Sequence, residues 1–114
     1  MIRYVYIAGP INSSGLQNRN VRAACEIGEQ LIRLGFVPFV PHLDVLWDTI
    51  CPDMTEEDWM SWDFAWLEKC DALLRLPGVS RGADREVAHA EKIGLRIFYT
   101  VEGLIVGNSP KRSG

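Results

Sequence analysis

Histidine is scarce in this 114-residue chain: there are two, His42 and His89. Neither belongs to an HExxH motif or a Cys/His cluster, so no metal is expected. Cysteine is nearly as rare, with three residues, an odd number, and no CxxC spacing. That excludes a disulfide framework and leaves free thiols in a reducing compartment, with Cys25 and Cys70 on apolar stripes. Positive charge is not in excess either: 12 basic side chains stand against 15 acidic ones, a net charge of −3. Nucleic acid and anionic membrane both demand a basic face, so neither is expected as a partner, whereas one small anionic ligand remains compatible. No apolar run approaches the ~20 residues of a membrane span, and MIRYVYIAGP lacks the apolar core of a signal peptide, so a cytoplasmic location is expected. Finally, GPINSSG (9–15) fits neither GxGxxG nor GxxxxGK[ST], which removes the usual dinucleotide and triphosphate loops, and no cofactor is expected.

What is present is an ordinary globular composition, 47% hydrophobic and 24% charged, sufficient for one domain over residues 1–114. Residues 2–8 (IRYVYIA) are β-branched and aromatic on both faces, as a central parallel strand requires. Apolar positions at helical spacing from Asn18 to Leu34, closed by Gly35, predict a helix. FVPFVP (36–41) is a short second strand limited by its prolines. A less regular stretch, 42–54, carries a short helix around 43–47. Thr55 and the acidic turn Glu56-Glu57-Asp58 open a helix reaching about Lys69. DALLRL (71–76) is the third strand, SRGADREVAHAEKIG (80–94) a helix, and LRIFYTV (95–101) the fourth strand, followed by a tail that is polar at its end. This alternation predicts a single-domain Rossmann-like (flavodoxin-like) α/β three-layer sandwich with a mainly parallel sheet of four to five strands. Ligands bind beyond the carboxyl ends of such strands. The site is therefore expected among the loops after the first, second and third strands.

Four groups of residues on those loops and the adjoining helices bear chemistry. In the first loop, Gly9 lets backbone approach a ligand, and Ile11, Asn12, Ser13 and Ser14 follow it. Ser80 stands ahead of a helix N-terminus, where it caps the helix, holds an anion, or does both, with Arg81 adding charge and Gly82 close approach. Glu86, within the first turns of that helix, is either a solvated helix charge or an oriented carboxylate, kept ionised by the dipole and fit to act as a nucleophile. Asp63 shares a helical face with Trp59, Trp62, Trp66 and Cys70. It either lies at the edge of that stripe in touch with water, or sits in apolar surroundings that raise a carboxyl pKa and keep the acid protonated. One ionised and one protonated carboxyl form the pair that cleaves glycosidic bonds through a covalent intermediate. His42 either lines the pocket or is a hydrogen-bonded surface histidine. Asp71, opening the third strand, reads as structural.

Together these residues resemble the nucleoside 2-deoxyribosyltransferase superfamily, which includes deoxyribosyltransferases and deoxynucleoside 5′-monophosphate N-glycosidases. The resemblance covers about residues 4–100. YIAGP is similar to the family's first strand and loop, whose tyrosine, here Tyr6, positions the nucleophile. The D-(x)7-D spacing of Asp63 and Asp71 matches a pattern whose first aspartate handles the departing base. S-x-G-x-x-x-E maps the nucleophilic glutamate onto Glu86. The glycosidases place a serine where Ser80 stands, whereas the transferases place an aspartate that binds a free 5′-hydroxyl. On the other side, the glycosidases carry an arginine where Asn12 stands. A C-terminal segment from a neighbouring subunit completes the family's site, and the resemblance implies that residues 102–114, with Asn108 or Ser109, Lys111 and Arg112, fill that place in a homo-oligomer.

The resemblance implies cleavage of the N-glycosidic bond of (deoxy)nucleoside 5′-monophosphates, with Glu86, Asp63 and Tyr6 as catalytic residues. The substrate-binding residues are then Gly9, Ile11, Asn12, His42, Ser80, Gly82 and Ser109. Base exchange on unphosphorylated nucleosides is the alternative within enzymes. A nucleotide-binding module that has lost the chemistry and a small structural protein are the alternatives outside them.

Overall fold

The computed structural model describes residues 1–12 and 15–109. Ser13, Ser14, Lys111 and Arg112, named above, lie outside the described residues. Strand β1 (Tyr4–Ala8) runs down the middle of the sheet, with its last four residues buried. Those residues have strand neighbours on both sides and helices over both faces, which is why the segment is apolar throughout. Asp71 anchors its start: one carboxylate oxygen accepts from the backbone N–H groups of Arg3 and Tyr4, each at 2.9 Å. These bonds, the Tyr4 one foremost, hold the Asp71 carboxyl below its usual pKa, so the structural role expected for it stands.

Helix α1 (Gln17–Arg33) follows, ended by Gly35 at φ +92°, a left-handed conformation that glycine tolerates and other residues resist. Strand β2 (Val37–Phe39) leads through a turn at Pro41–Leu43 into the short helix α2 (Asp44–Ile50). Helix α3 (Glu56–Leu67) begins with a reciprocal capping box. The Asp58 N–H donates to the Thr55 hydroxyl at 3.1 Å, and the Thr55 N–H donates to the Asp58 carboxylate at 2.8 Å. Strand β3 (Ala72–Arg75), helix α4 (Arg81–Lys92) and strand β4 (Arg96–Phe98) complete the alternation.

The chain end departs from expectation. The fourth strand stops at Phe98, and Val101–Asn108 form a helix, α5, in place of strand end and polar tail. Thr100 turns the chain by accepting from the Gly103 N–H with its hydroxyl, and Val101 and Leu104 bury on the sheet. Gly103 and Gly107 lower the helix propensity of this segment, so its helicity comes from packing.

All strands are parallel, in the order β2-β1-β3-β4, the opening order of a flavodoxin-like sheet. One face carries Val5, Ile7 and Leu74 against Leu31 of α1 and Leu104 of α5. The other carries Tyr6, Ala8 and Leu73 against Leu67 of α3 and Ala83 and Ala90 of α4. The result is the expected three-layer sandwich. The chain leaves β1 toward β2 on one side, while β3 lies on the other, so the carboxyl ends of β1 and β3 flank a topological switch point. Among the described residues no helix is long and apolar enough to cross a membrane.

Candidate active site

A cavity of about 710 Å³ opens at that switch point, within the size range of small-molecule sites. The first loop, α2, α3 and the amino end of α4 wall it. Its floor is closely packed, the loops after β1 and β3 lying against one another. A side chain at Gly9 would meet Leu76 Cβ at 2.9 Å, and one at Gly78, which sits at φ +113°, would meet Pro10 at 2.8 Å. Arg75, its side chain only 11% exposed, ties the loop after β3 down. Its guanidinium donates to the carbonyls of Leu76 and Gly78 and to Asp84.

Glu86 lies at this floor and is only 5% exposed. Tyr6, wholly buried on β1, donates its hydroxyl to Glu86 Oε2. Burial holds the phenol well above its ordinary pKa, with the charge of Glu86 adding to the effect, so Tyr6 stays a donor. Glu86 is therefore no solvated helix charge. Its electrostatics, however, reverse the expectation drawn from the helix dipole. Burial dominates and lifts its pKa to about 7, with the charge of Asp44 adding to it, against the downward pull of the Tyr6 hydrogen bond and the Arg75 charge. Desolvation of a carboxylate in an apolar floor outweighs a dipole that acts within a single turn.

Asp63 borders the same cavity and is 8% exposed. Its pKa rises to about 9, first through burial, then through a hydrogen bond to Asp44 and the charges of Asp44 and Glu86. Burial, the expected cause, thus leads in favouring protonated Asp63, but the tryptophans are not what buries it. The buried face of α3 holds Met60, Asp63 and Leu67. Trp62 and Trp66 lie to the side of that face, 38% and 44% exposed. Asp44, the first residue of α2, was not singled out among the candidates. A carboxylate opening a helix just beyond the second strand is placed at the cavity by topology alone. Burial raises its pKa as well, opposed by the hydrogen bond from Asp63.

Of the substrate-binding candidates, Gly9, Ile11, Asn12, Ser80 and Gly82 line the cavity. Ser80 also caps α4, its hydroxyl accepting from the Ala83 N–H at 3.1 Å, so both readings of this residue coexist. Gly82 would meet only Met60 at an ordinary 3.7 Å if it carried a side chain, so packing within the chain does not demand glycine there. His42 is neither a cavity wall nor a surface histidine. It is 1% exposed beneath the backbone of Gly9 and Pro10, and neither ring nitrogen reaches hydrogen-bond geometry. Burial drives its pKa down to about 4, against the influence of those two backbone groups, and the ring is neutral. Ser109 ends α5 beside Asn108, whose side chain accepts from the Ile2 N–H at 2.7 Å. That contact lies at the amino end of β1, opposite the chain's own cavity. Cys25, Cys51 and Cys70 are all free.

Residues 3–99 match the family model of a domain of unknown function, DUF4406, and the chain belongs to that family. No curated protein matches it.

Proposed function

We propose that this DUF4406 chain cleaves the N-glycosidic bond of (deoxy)nucleoside 5′-monophosphates through a glycosyl-Glu86 intermediate. The observation that carries the reading is a buried carboxylate gripped by Tyr6 in the same cavity as a second carboxyl, Asp63, whose pKa is higher still. Between about pH 7 and 9 these two occupy opposite states, Glu86 ionised and Asp63 protonated, which is the division of labour that a retaining displacement needs.

In the first step the Glu86 carboxylate forms a bond to the anomeric carbon while the carbon–nitrogen bond breaks. The bonding pair leaves on the base nitrogen, and the base takes the proton of Asp63, replacing Asp44 as its acceptor. Tyr6 holds Oε2, leaving the other oxygen for carbon, and orients the carboxylate without surrendering its own proton. In the second step water attacks the anomeric carbon, releases Glu86 and returns a proton to Asp63. A free base taking the place of water gives base exchange instead. The 5′-phosphate is assigned to the amino end of α4. There free N–H groups, Ser80 and the exposed Arg81 meet the cavity and supply the positive potential that Asn12, in the first loop, does not. The chain is taken to work as a homo-oligomer that covers the exposed Trp47, Trp62 and Trp66. In that assembly Ser109 and the residues after it serve a neighbour's site.

The test is base release followed by liquid chromatography over ribo- and deoxynucleosides and their 5′-monophosphates, for wild type and Glu86→Gln, with and without a second base. Release from monophosphates that is lost in the variant supports the reading. A new nucleoside on adding base turns it to transfer. Binding without cleavage in both proteins makes the chain a nucleotide-binding module.

A further inference from the structure

Asp44 performs no step above, yet it is the hydrogen-bond partner of Asp63. The two carboxyls come from different elements, α2 and α3, and meet at the cavity wall. Asp63 is almost fully buried and Asp44 half-buried. Among the described residues no lysine or arginine forms an ion pair with either. Asp63 Oδ1 and Asp44 Oδ2 are buried, and among the described residues no N–H or hydroxyl donates to either. Two carboxylates in contact, with no cation between them, cannot both ionise and must share a proton. The more deeply buried member keeps it, because desolvation penalises its charge more.

We infer that Asp44 is a positioning residue that holds the acid proton on Asp63 at the cavity wall until the departing base takes it, resting on the catalytic reading above. The other charged or titratable groups around Asp63 do not substitute for it. Glu86 on α4 acts through its charge alone, and Tyr6 on β1 is committed to Glu86. Asp48, on the same helix as Asp44, accepts from the Trp59 indole N–H at 3.1 Å. Glu56 and Arg81 line the cavity from the starts of α3 and α4, and Arg75 is bound to loop carbonyls and Asp84. Asp44 is the group in direct contact.

The proposal is tested on the full chain by following the Asp63 carboxyl ¹³C resonance, assigned by its loss in Asp63→Asn, against pH. Asp44→Asn removes the like charge and offers Asp63 an N–H donor that favours its ionised form. Its midpoint is expected to fall by roughly one pH unit or more. Asp44→Ala should move it the same way and serves if the Asn variant does not fold, while Asp44→Glu should restore it. An unchanged midpoint in the Asn and Ala variants overturns the inference. In the base-release assay the alkaline limb of kcat/KM should follow the midpoint downward and return with Asp44→Glu, a pattern that mere loss of packing would not produce. If the midpoint moves and the limb does not, Asp63 is not the acid. That outcome overturns the catalytic half of the inference and leaves the carboxyl pairing established. Absence of base release from every substrate sinks the proposed function while the titration still decides the pairing.

Discussion

The Tyr6 hydroxyl donates to the Glu86 carboxylate across a separation of 80 residues, joining the central strand to the helix that opens after β3. Tyr6 stacks in turn on Phe39 at 5.5 Å, and Phe39 on Trp66 at 5.3 Å. The phenol is thus held by packing, and the carboxylate by the phenol. The cost is a carboxylate in a desolvated place, which makes its behaviour strongly dependent on pH.

Base release is therefore expected to follow a bell in pH. It rises as Glu86 ionises near 7 and falls as Asp63 loses its proton near 9. A kcat/KM profile over pH 5–10 checks this; a flat profile across that range would remove both groups from the reaction.

Stability should move against activity. Glu86 has a folded-state pKa raised from 4.5 to about 7, so its contribution to the fold is intact below about 4.5 and lost as pH climbs through 7. Asp63 adds the same sign up to about 9. For Glu86 alone the loss is on the order of 3 kcal/mol. Glu86→Gln, which keeps the shape without the charge, is expected to melt roughly 10–15 °C above wild type at pH 9 and close to it at pH 4. Thermal melts at the two pH values decide it, and equal melting temperatures at pH 9 would mean that Glu86 is not buried as an anion.

Tyr6→Phe deletes a hydrogen bond that favours ionised Glu86, so the pKa of Glu86 must rise further. The acid limb of the bell should shift upward, and kcat/KM at pH 7 should fall roughly 10- to 100-fold, the worth of a hydrogen bond to a charged group. Loss of rate with the acid limb unmoved would mean that Tyr6 supports the fold and does not tune Glu86.

Much of this was legible from residue types and spacing. The β-branched and aromatic IRYVYIA, the capped helices at Thr55 and Ser80 and the strand–helix alternation lead to the parallel sheet, and the sheet leads to the site. Glu86 and Asp63 could be named from the S-x-G-x-x-x-E and D-(x)7-D spacings, whereas residue type alone left Glu86 open to being a solvated helix charge. Three things were hidden, each for a physical reason. Helix α5 is held by burial of Val101 and Leu104 against the sheet, and its glycines argue against it locally. The pKa of Glu86 depends on how deeply the sheet floor buries it, which no local pattern records. Asp44 matters through Asp63, a contact between α2 and α3 that exists only in the folded chain.

The residue that separates phosphorylated from unphosphorylated substrates is expected to be Ser80. Its hydroxyl caps α4 by accepting from the Ala83 N–H, and aspartate caps as well as serine while suiting the positive helix end. Ser80→Asp should therefore leave the melting temperature near wild type. It places a carboxylate where the 5′-phosphate is assigned, and like charges in contact cost several kcal/mol. The ratio of kcat/KM for a 5′-monophosphate to that for its nucleoside should drop at least roughly tenfold, mainly by loss of the monophosphate reaction. Kinetics with one matched pair of substrates, beside a thermal melt of the variant, measure both halves. A stable variant with an unchanged ratio would mean that phosphate does not sit at the amino end of α4, and the substrate class would have to be sought among neutral nucleosides.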